Sequence, residues 1–162
     1  MDRRIAAWFG TAILFAALYA GVPLAGLAID RTVGLSPLSL AVRLVGSPLL
    51  FVGVAGLLWC FALFARARGT PNPVMPPEHL VTAGPYVWTR NPIAGSHFLA
   101  VLGVALVVGS PSAVGITFLL GFPADFVVRR EERGLESRFG EAYRKYRASV
   151  PRWIPRIPKR QS

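Results

Sequence analysis

Four apolar blocks account for most of this chain, and polar or proline-rich stretches separate them. The blocks are residues 5–29, 44–65, 93–109 and 112–128. A helix needs about 20 apolar residues to cross a bilayer, so the first two blocks are long enough and the last two lie near the lower limit. Only Ser110 and Pro111 separate the third block from the fourth, and proline suits the first position of a helix. The pattern predicts an all-α membrane protein with four transmembrane helices, of which the last two form a tight hairpin.

A different periodicity follows the last block. Between residues 131 and 150 apolar side chains recur at helical spacing, and charged side chains occupy the opposite face. This predicts a C-terminal amphipathic helix on the cytoplasmic side, for which simple contact with the membrane surface is the alternative role. Glu131 and Glu132 fall on the two edges of the apolar stripe, so both point toward whatever that stripe covers.

Residues 69–92 interrupt every helical pattern. Prolines at this density exclude a helix, and the stretch is longer than most connections inside a compact domain. Its apolar and aromatic members argue against simple disorder. We therefore expect a functional loop between the second and third spans of a single domain that covers residues 1–162. The prolines are Pro71, Pro73, Pro76, Pro77, Pro85 and Pro92.

The net charge of +10 is placed unevenly. With four spans and both termini in the cytoplasm, 16 of the 18 basic residues lie on the inner side and only Arg31 and Arg43 lie outside. This agrees with the positive-inside bias and predicts a multi-pass topology with both termini cytoplasmic. The cations then face anionic lipid head groups, and no nucleic-acid motif is recognised. The first block is too long for the apolar core of a signal peptide.

Metal and thiol chemistry find little support. Cys60 is the only cysteine, and His79 and His97 are the only histidines, which excludes the usual zinc spacing. Cys60 has no basic neighbour to activate it, so a buried inert thiol is expected. No metal site is predicted.

The C-terminal half carries a series of short motifs in a fixed order. They are Leu80–Pro92 (LVTAGPYVWTRNP), then the apolar hairpin, Arg129–Leu135 (RREERGL), Phe139–Tyr143 (FGEAY) and Val150–Pro155 (VPRWIP). This order resembles the membrane-embedded methyltransferases of the isoprenylcysteine carboxyl methyltransferase and phospholipid methyltransferase superfamily. The resemblance implies transfer of a methyl group from S-adenosylmethionine to a lipophilic small molecule or lipid.

The resemblance also assigns cofactor-binding positions. A glutamate at the start of the last helix contributes to the cofactor site in the family, which corresponds to Glu131 here. S-adenosylmethionine carries an ammonium and a sulfonium cation, and a partly desolvated carboxylate binds a cation strongly. The remaining cofactor-binding positions belong to the loop and the start of the third span. They are Glu78, His79, Leu80, Val81, Tyr86, Asn91, Pro92, Ile93 and Ala94.

Asn91 replaces the usual histidine of the family, which is a familiar variant, and two other positions depart further from the family pattern. Ala94 stands where members usually have tyrosine, and Val127 stands where prenylcysteine-type members have an arginine that meets the substrate carboxylate. If the acceptor is an amine or a phenol, Asp125 and Glu132 are the candidate catalytic bases. Asp125 lies within a span, where ionisable residues are functional candidates, yet it also suits a pair with Arg129 one turn later.

Two other functions fit the same architecture. One is a membrane reductase with a nicotinamide cofactor, because sterol reductases share a related C-terminal arrangement. The other is a catalytically inactive methyltransferase-like scaffold, in which the changes at Ala94 and Val127 reflect lost activity.

Overall fold

A computed structural model describes residues 13–66 and 79–156 of the chain. Within these ranges the secondary structure is helical, with no strand, which confirms the all-helical class. Glu78 and most of the proline-rich loop lie outside the described residues. The helices are α1 (Ile13–Val33), α2 (Leu40–Arg66), α3 (Pro92–Val108) and α4 (Pro111–Ser149), with a short 3₁₀ turn at Gly84–Val87.

Three of these helices are long and apolar enough to cross a membrane, namely α1, α2 and α4. Helix α3 is equally apolar but has 17 residues, which at 1.5 Å per residue is about 26 Å. That length is slightly below the roughly 30 Å hydrocarbon core of a bilayer. The described residues thus contain three candidate membrane spans, as expected of an integral membrane protein, and a fourth span through α3 stays a prediction.

Helix α4 is 39 residues long and joins two segments that the sequence pattern separates. The helix continues without a break from the predicted span at residues 112–128 into the first half of the predicted amphipathic helix at residues 131–150, and a kink at Gly140 interrupts that second segment. The intervening run of arginines and glutamates has high helix propensity, which favours continuity. The only internal residue with non-helical dihedral angles is Gly140, with φ 53° and ψ −122°. This conformation is open essentially to glycine alone, so the helix changes direction there.

The chain divides into two compact units, which are described separately. Unit 1 consists of Met1–Val54 and Ser96–Pro123, and unit 2 consists of Ala55–Gly95 and Ala124–Ser162.

The helices of unit 1 approach one another through glycine. A Cβ atom placed on Gly46 of α2 would lie 2.6 Å from the carbonyl oxygen of Gly103 in α3, and one on Gly103 would overlap the backbone nitrogen of Leu50. Two turns further along α2, a Cβ atom placed on Gly53 would lie 2.5 Å from the backbone nitrogen of Ala100 in α3. Such backbone contact is typical of helices that associate inside a membrane, where small residues permit close packing.

Polar contacts in unit 1 serve the helix ends. Asp30 of α1 is buried, and it accepts hydrogen bonds from the Ser110 hydroxyl and, at 3.1 Å, from the Ser112 backbone nitrogen. These donors lie at the start of α4, whose first N–H groups have no partner inside the helix. At the other side of the same turn, Arg43 donates from Nε to the Val107 carbonyl at 3.1 Å. Side chains that are distant in sequence thus form hydrogen bonds with both ends of the turn between α3 and α4.

Unit 2 has a small core built on α2. Cys60, Phe64 and Tyr86 are buried together. The 3₁₀ turn reaches this core through Gly84, whose φ of 61° strongly favours glycine. A Cβ atom placed on Gly84 would lie 2.8 Å from Leu63 Cδ1. The Gly-Pro-Tyr motif therefore places Tyr86 inward, and the residues that follow it begin the candidate site.

Candidate active site

The loop before α3 is held by the C-terminal segment of the chain. The backbone nitrogen of Arg90 donates to the Pro151 carbonyl at 2.9 Å, and that of Arg156 donates to the Trp88 carbonyl at 3.0 Å. The Thr89 hydroxyl adds a bond of 2.7 Å to the Arg152 carbonyl. These three bonds satisfy backbone groups of two irregular segments, so the two C-terminal motifs of the sequence fix each other's conformation.

Glu132 is the centre of a buried ionic network in unit 2. Its Oε2 accepts from Arg152, at 2.7 Å from Nη2 and 3.1 Å from Nε. Its Oε1 lies 3.4 Å from Arg90 Nη2 and 3.5 Å from Asn91 Nδ2. A carboxylate that is only 6% exposed needs such partners, because an unpaired charge would be expensive to bury. Glu132 thus joins α4 to both the loop and the C-terminal segment.

Three donor atoms next to this network have no protein partner. Among the described residues, the buried Nε and Nη1 atoms of Arg90 and the hydroxyl of Tyr143 make no hydrogen bond. Burial raises the pKa of Tyr143 to about 12, and the Glu132 carboxylate contributes to the rise. The hydroxyl therefore keeps its proton at neutral pH. Buried donors of this kind are normally satisfied by water or a ligand, so the site can accept an electron-rich group.

Glu131 differs sharply from its neighbour. Glu131 is exposed to solvent, and it makes no hydrogen bond or ion pair with another described residue. Protein atoms around the carboxyl group nevertheless displace water, and this desolvation, followed by repulsion from Glu132, raises the pKa of Glu131. Burial raises the pKa of Tyr86, to which the Glu131 carboxylate also contributes. Glu131 is therefore an open carboxylate near the aromatic residue of the loop, and it is available to a cation.

Asp125 is paired within the protein. It accepts from Nε of Arg129, one turn along α4, and from Nε1 of Trp153 at 2.9 Å. Arg152 lies further away, with Nη1 3.9 Å from the carboxylate. The pairing with Arg129 that the sequence offers as the structural role of Asp125 is present. Val127, at the position of the family arginine, is largely exposed on the same helix.

The other sequence-predicted positions fall into two groups. Val81 and Ile93 pack against the core of Cys60, Phe64 and Tyr86, so their side chains support the loop. Those of His79, Leu80 and Ala94 keep accessible surface. Asn91 is half-buried and tied to Glu132, and Pro92 is buried at the start of α3.

Sequence reasoning missed four residues of the candidate site, namely Arg90 and Arg152 of the Glu132 network, Tyr143 next to that network, and Trp153, which pairs with Asp125. A signal for the two arginines exists. A glutamate at the edge of an apolar stripe needs a counter-charge, and both arginines stand inside the quoted motifs. Trp153 and Tyr143 also stand inside the quoted motifs, but no need for a counter-charge identifies them, because aromatic residues near a membrane surface are common.

Together these observations define a helical membrane protein whose loop and C-terminal motifs build a polar site around two adjacent glutamates. The model of the phospholipid methyltransferase family matches residues 42–142, and the chain belongs to this family. The resemblance to the combined superfamily is thereby confirmed.

Two curated proteins show the relationship directly. The cobalt-zinc-cadmium resistance protein CzcN of Cupriavidus metallidurans is 34% identical over 125 residues, which are 75% of this chain and 51% of that protein. The protein-S-isoprenylcysteine O-methyltransferase of Schizosaccharomyces pombe is 35% identical over 80 residues, 49% of this chain and 34% of that protein. The chain thus spans about half the length of one relative and a third of the other. No solved structure gives a significant match.

Among the described residues no group of three or more His, Cys, Asp or Glu side chains is arranged to hold a metal ion.

Proposed function

We propose that this protein is a membrane-embedded, S-adenosylmethionine-dependent methyltransferase that acts on a lipophilic acceptor. The family supports methyl transfer in general terms. The finer proposal rests on the contrast between two adjacent glutamates. Glu132 is buried and paired with arginines, whereas Glu131 is exposed and has no partner among the described residues.

The residues of the site suit the cofactor chemically. S-adenosylmethionine, when bound, supplies the methyl group, and it carries a cationic ammonium and an anionic carboxylate. Glu131 is the acidic group that binds the ammonium in this proposal. The unpartnered donors of Arg90 and Tyr143 suit a carboxylate or other acceptor oxygen. Backbone groups of Leu80, Val81, Asn91, Pro92, Ile93 and Ala94, with Glu78, His79 and Tyr86, complete the proposed cofactor-binding loop.

The pairing of the two candidate bases favours certain acceptors. Glu132 is engaged by two arginines, and Asp125 by Arg129 and Trp153, so either must break a contact before it can take a proton. An acceptor that is already ionised, such as a carboxylate or thiolate, needs no base. Positioning of the nucleophile, methyl carbon and sulfur in line then supplies much of the catalysis. An amine or phenol acceptor would require Glu132 or Asp125 as the base.

The proposal is tested by titrating S-adenosylhomocysteine, which retains the ammonium, into purified protein in nanodiscs. We expect Glu131→Gln to weaken binding by about tenfold to over a hundredfold, the range of one charge-assisted hydrogen bond. Glu141→Gln is the matched control, because Glu141 lies on the same helix and is exposed with Arg144 as its partner. Equal affinities in the two variants would remove Glu131 from the cofactor site.

The same titration has a pH dependence with a defined sign. Binding needs the ionised form of Glu131, so affinity is full above the raised pKa of this group and falls as the pH drops through it. The fall should begin at a higher pH than for an ordinary glutamate. Glu131→Gln should abolish this part of the profile, and an identical profile in that variant would contradict the assignment.

The rival functions give different results in the same experiment. A nicotinamide reductase would bind NADPH in preference to S-adenosylhomocysteine, and family membership does not favour it. An inactive scaffold would bind neither, or would bind the cofactor and transfer nothing. Incubation with methyl-labelled S-adenosylmethionine and a lipid extract, followed by mass analysis of the labelled product, distinguishes the scaffold from the enzyme and identifies the acceptor.

A further inference from the structure

A second polar pair lies in unit 1, within apolar segments and outside the site described above. Tyr19 of α1 and His97 of α3 are joined by a hydrogen bond of 2.9 Å between the hydroxyl and Nδ1. Phe15 stacks edge-on against the imidazole, with ring centroids 4.9 Å apart. Both members of the pair are half-buried. Ionisable residues inside membrane spans are rare and are functional candidates by default.

The backbone of α1 has a wide turn at this point. Residues Ala17–Gly21 are π-helical, and the N–H of Val22 bonds to the Ala17 carbonyl five residues back. Pro23 accounts for the turn, because it has no N–H to give to the carbonyl of Tyr19 four residues earlier. The extra residue in the turn changes the direction in which α1 projects Tyr19. The turn thus has a local cause, and its effect is to bring the hydroxyl to His97.

The hydrogen bond determines which imidazole nitrogen carries the proton. A phenol is a stronger acid than a neutral imidazole N–H, so the Tyr19 hydroxyl donates and Nδ1 accepts. The proton of the neutral ring is then on Nε2. Among the described residues Nε2 has no hydrogen-bond partner. If α3 crosses the bilayer as predicted, no water is present to accept from Nε2, so this donor favours any molecule that brings an acceptor oxygen.

We propose that Tyr19 and His97 form a binding site for a lipophilic ester, whose neutral carbonyl oxygen accepts the hydrogen bond from His97 Nε2. A neutral acceptor is favoured over a carboxylate or phosphate because Tyr19 and Phe15 carry no charge to balance an anion. The exposed apolar side chains of α1, such as Ile13 and Leu14, suit a ligand that arrives through lipid. Ester binding at this site is a further function beyond the proposed methyl transfer, because it needs no cofactor.

The test uses the full chain in nanodiscs made of diether phospholipids, which contain no ester carbonyl. In a His79→Gln background His97 is the only histidine, and ¹⁵N labelling of histidine reports its two nitrogens separately. We expect a protonated Nε2, and a saturable downfield shift of its proton when methyl palmitate is titrated. Heptadecane, the matched hydrocarbon, should give no such shift. A proton on Nδ1, or equal responses to ester and hydrocarbon, would overturn the proposal.

A variant tests the positioning role of the tyrosine. Tyr19→Phe keeps the ring and removes the hydroxyl, so the imidazole is free to exchange its proton between the two nitrogens. Affinity for methyl palmitate should fall by about 2- to 12-fold, the range of one neutral hydrogen bond. An unchanged affinity would remove Tyr19 from the site. Binding of S-adenosylhomocysteine should be unaffected by this variant, which separates the outcome from that of the proposed function.

Discussion

In unit 1 the helices meet through glycine backbones, whereas in unit 2 the segments are joined by buried arginine and glutamate side chains. Gly46, Gly53 and Gly103 let α2 and α3 touch with no side chain between them. In unit 2, Glu132 holds Arg90 and Arg152 at a position that is almost completely enclosed. The helix packing in unit 1 requires only that side chains are missing at the glycines, whereas the contacts in unit 2 require charged groups in a defined geometry.

This difference separates two kinds of contact that a membrane protein can use. Close backbone packing tolerates lipid on all sides, because it leaves no polar group unsatisfied. A buried ionic network is a poor means of stabilisation in general, since desolvation offsets much of the attraction. Its presence in unit 2 therefore points to a role in holding the loop, the C-terminal segment and the adjacent Glu131 in one conformation.

Among the proposed substitutions, Glu132→Gln is expected to lower the free energy of unfolding the most. The change leaves Arg90 and Arg152 without their shared carboxylate, and breaking a buried pair in this way costs about 3–5 kcal/mol. The measurement is the shift in thermal unfolding of the detergent-solubilised protein. The control is Glu141→Gln, which removes an exposed pair on the same helix and should cost under about 1 kcal/mol. Similar melting temperatures for the two variants would mean that the network contributes nothing beyond surface charge.

A smaller but clear effect is expected from Gly103→Ala. The new methyl group meets the backbone of Leu50 and must push α2 and α3 apart, for which overpacking suggests a cost of about 1–3 kcal/mol. In contrast, Gly115→Ala in α4 introduces a methyl group into open space and should stabilise the helix by up to about 1 kcal/mol. Opposite signs in chemical unfolding are the expected result, and destabilisation of equal size in both would argue against backbone contact in unit 1.

The smallest effect is expected from Thr89→Val. Valine keeps the shape and removes the hydroxyl that donates to the Arg152 carbonyl, a loss of about 1 kcal/mol. Thr82→Val is the matched change at an exposed threonine and should stay within about 0.5 kcal/mol of the parent. If Thr89→Val were as neutral as Thr82→Val, the Thr89 hydroxyl would add nothing to the backbone hydrogen bonds and the ionic network that hold the loop.

Much of the fold can be predicted from the sequence, because the length of the apolar segments and their helical periodicity are local properties. The apolar blocks, the turn at Ser110 and Pro111 and the all-helical class all follow from such patterns. The continuity of α4 was missed, since a change from apolar to charged residues resembles a helix boundary although helix propensity continues across it. The count of four spans stays a prediction, because the 17 residues of α3 are close to the limit that decides it.

The candidate site was predictable in part. The motifs identify Glu131, Glu132, Asn91 and the loop, yet they do not separate the two glutamates by role. That separation depends on which carboxylate meets Arg90 and Arg152, and residues 90 and 152 are 62 positions apart in the chain. Similarly, no local pattern pairs Tyr19 with His97, because the π-helical turn that positions Tyr19 becomes visible only in three dimensions.

The bond between Asp30 and the start of α4 has a consequence for the order in which the protein assembles. Asp30 lies in the first helix, yet the groups that it satisfies lie 80 and 82 residues later in the chain. A ribosome delivers α1 to the membrane well before α4 is complete. The carboxylate of Asp30 therefore lacks its Ser110 and Ser112 partners until the α3–α4 hairpin has been made. Helix α1 thus completes the start of α4, although α1 is synthesised earlier.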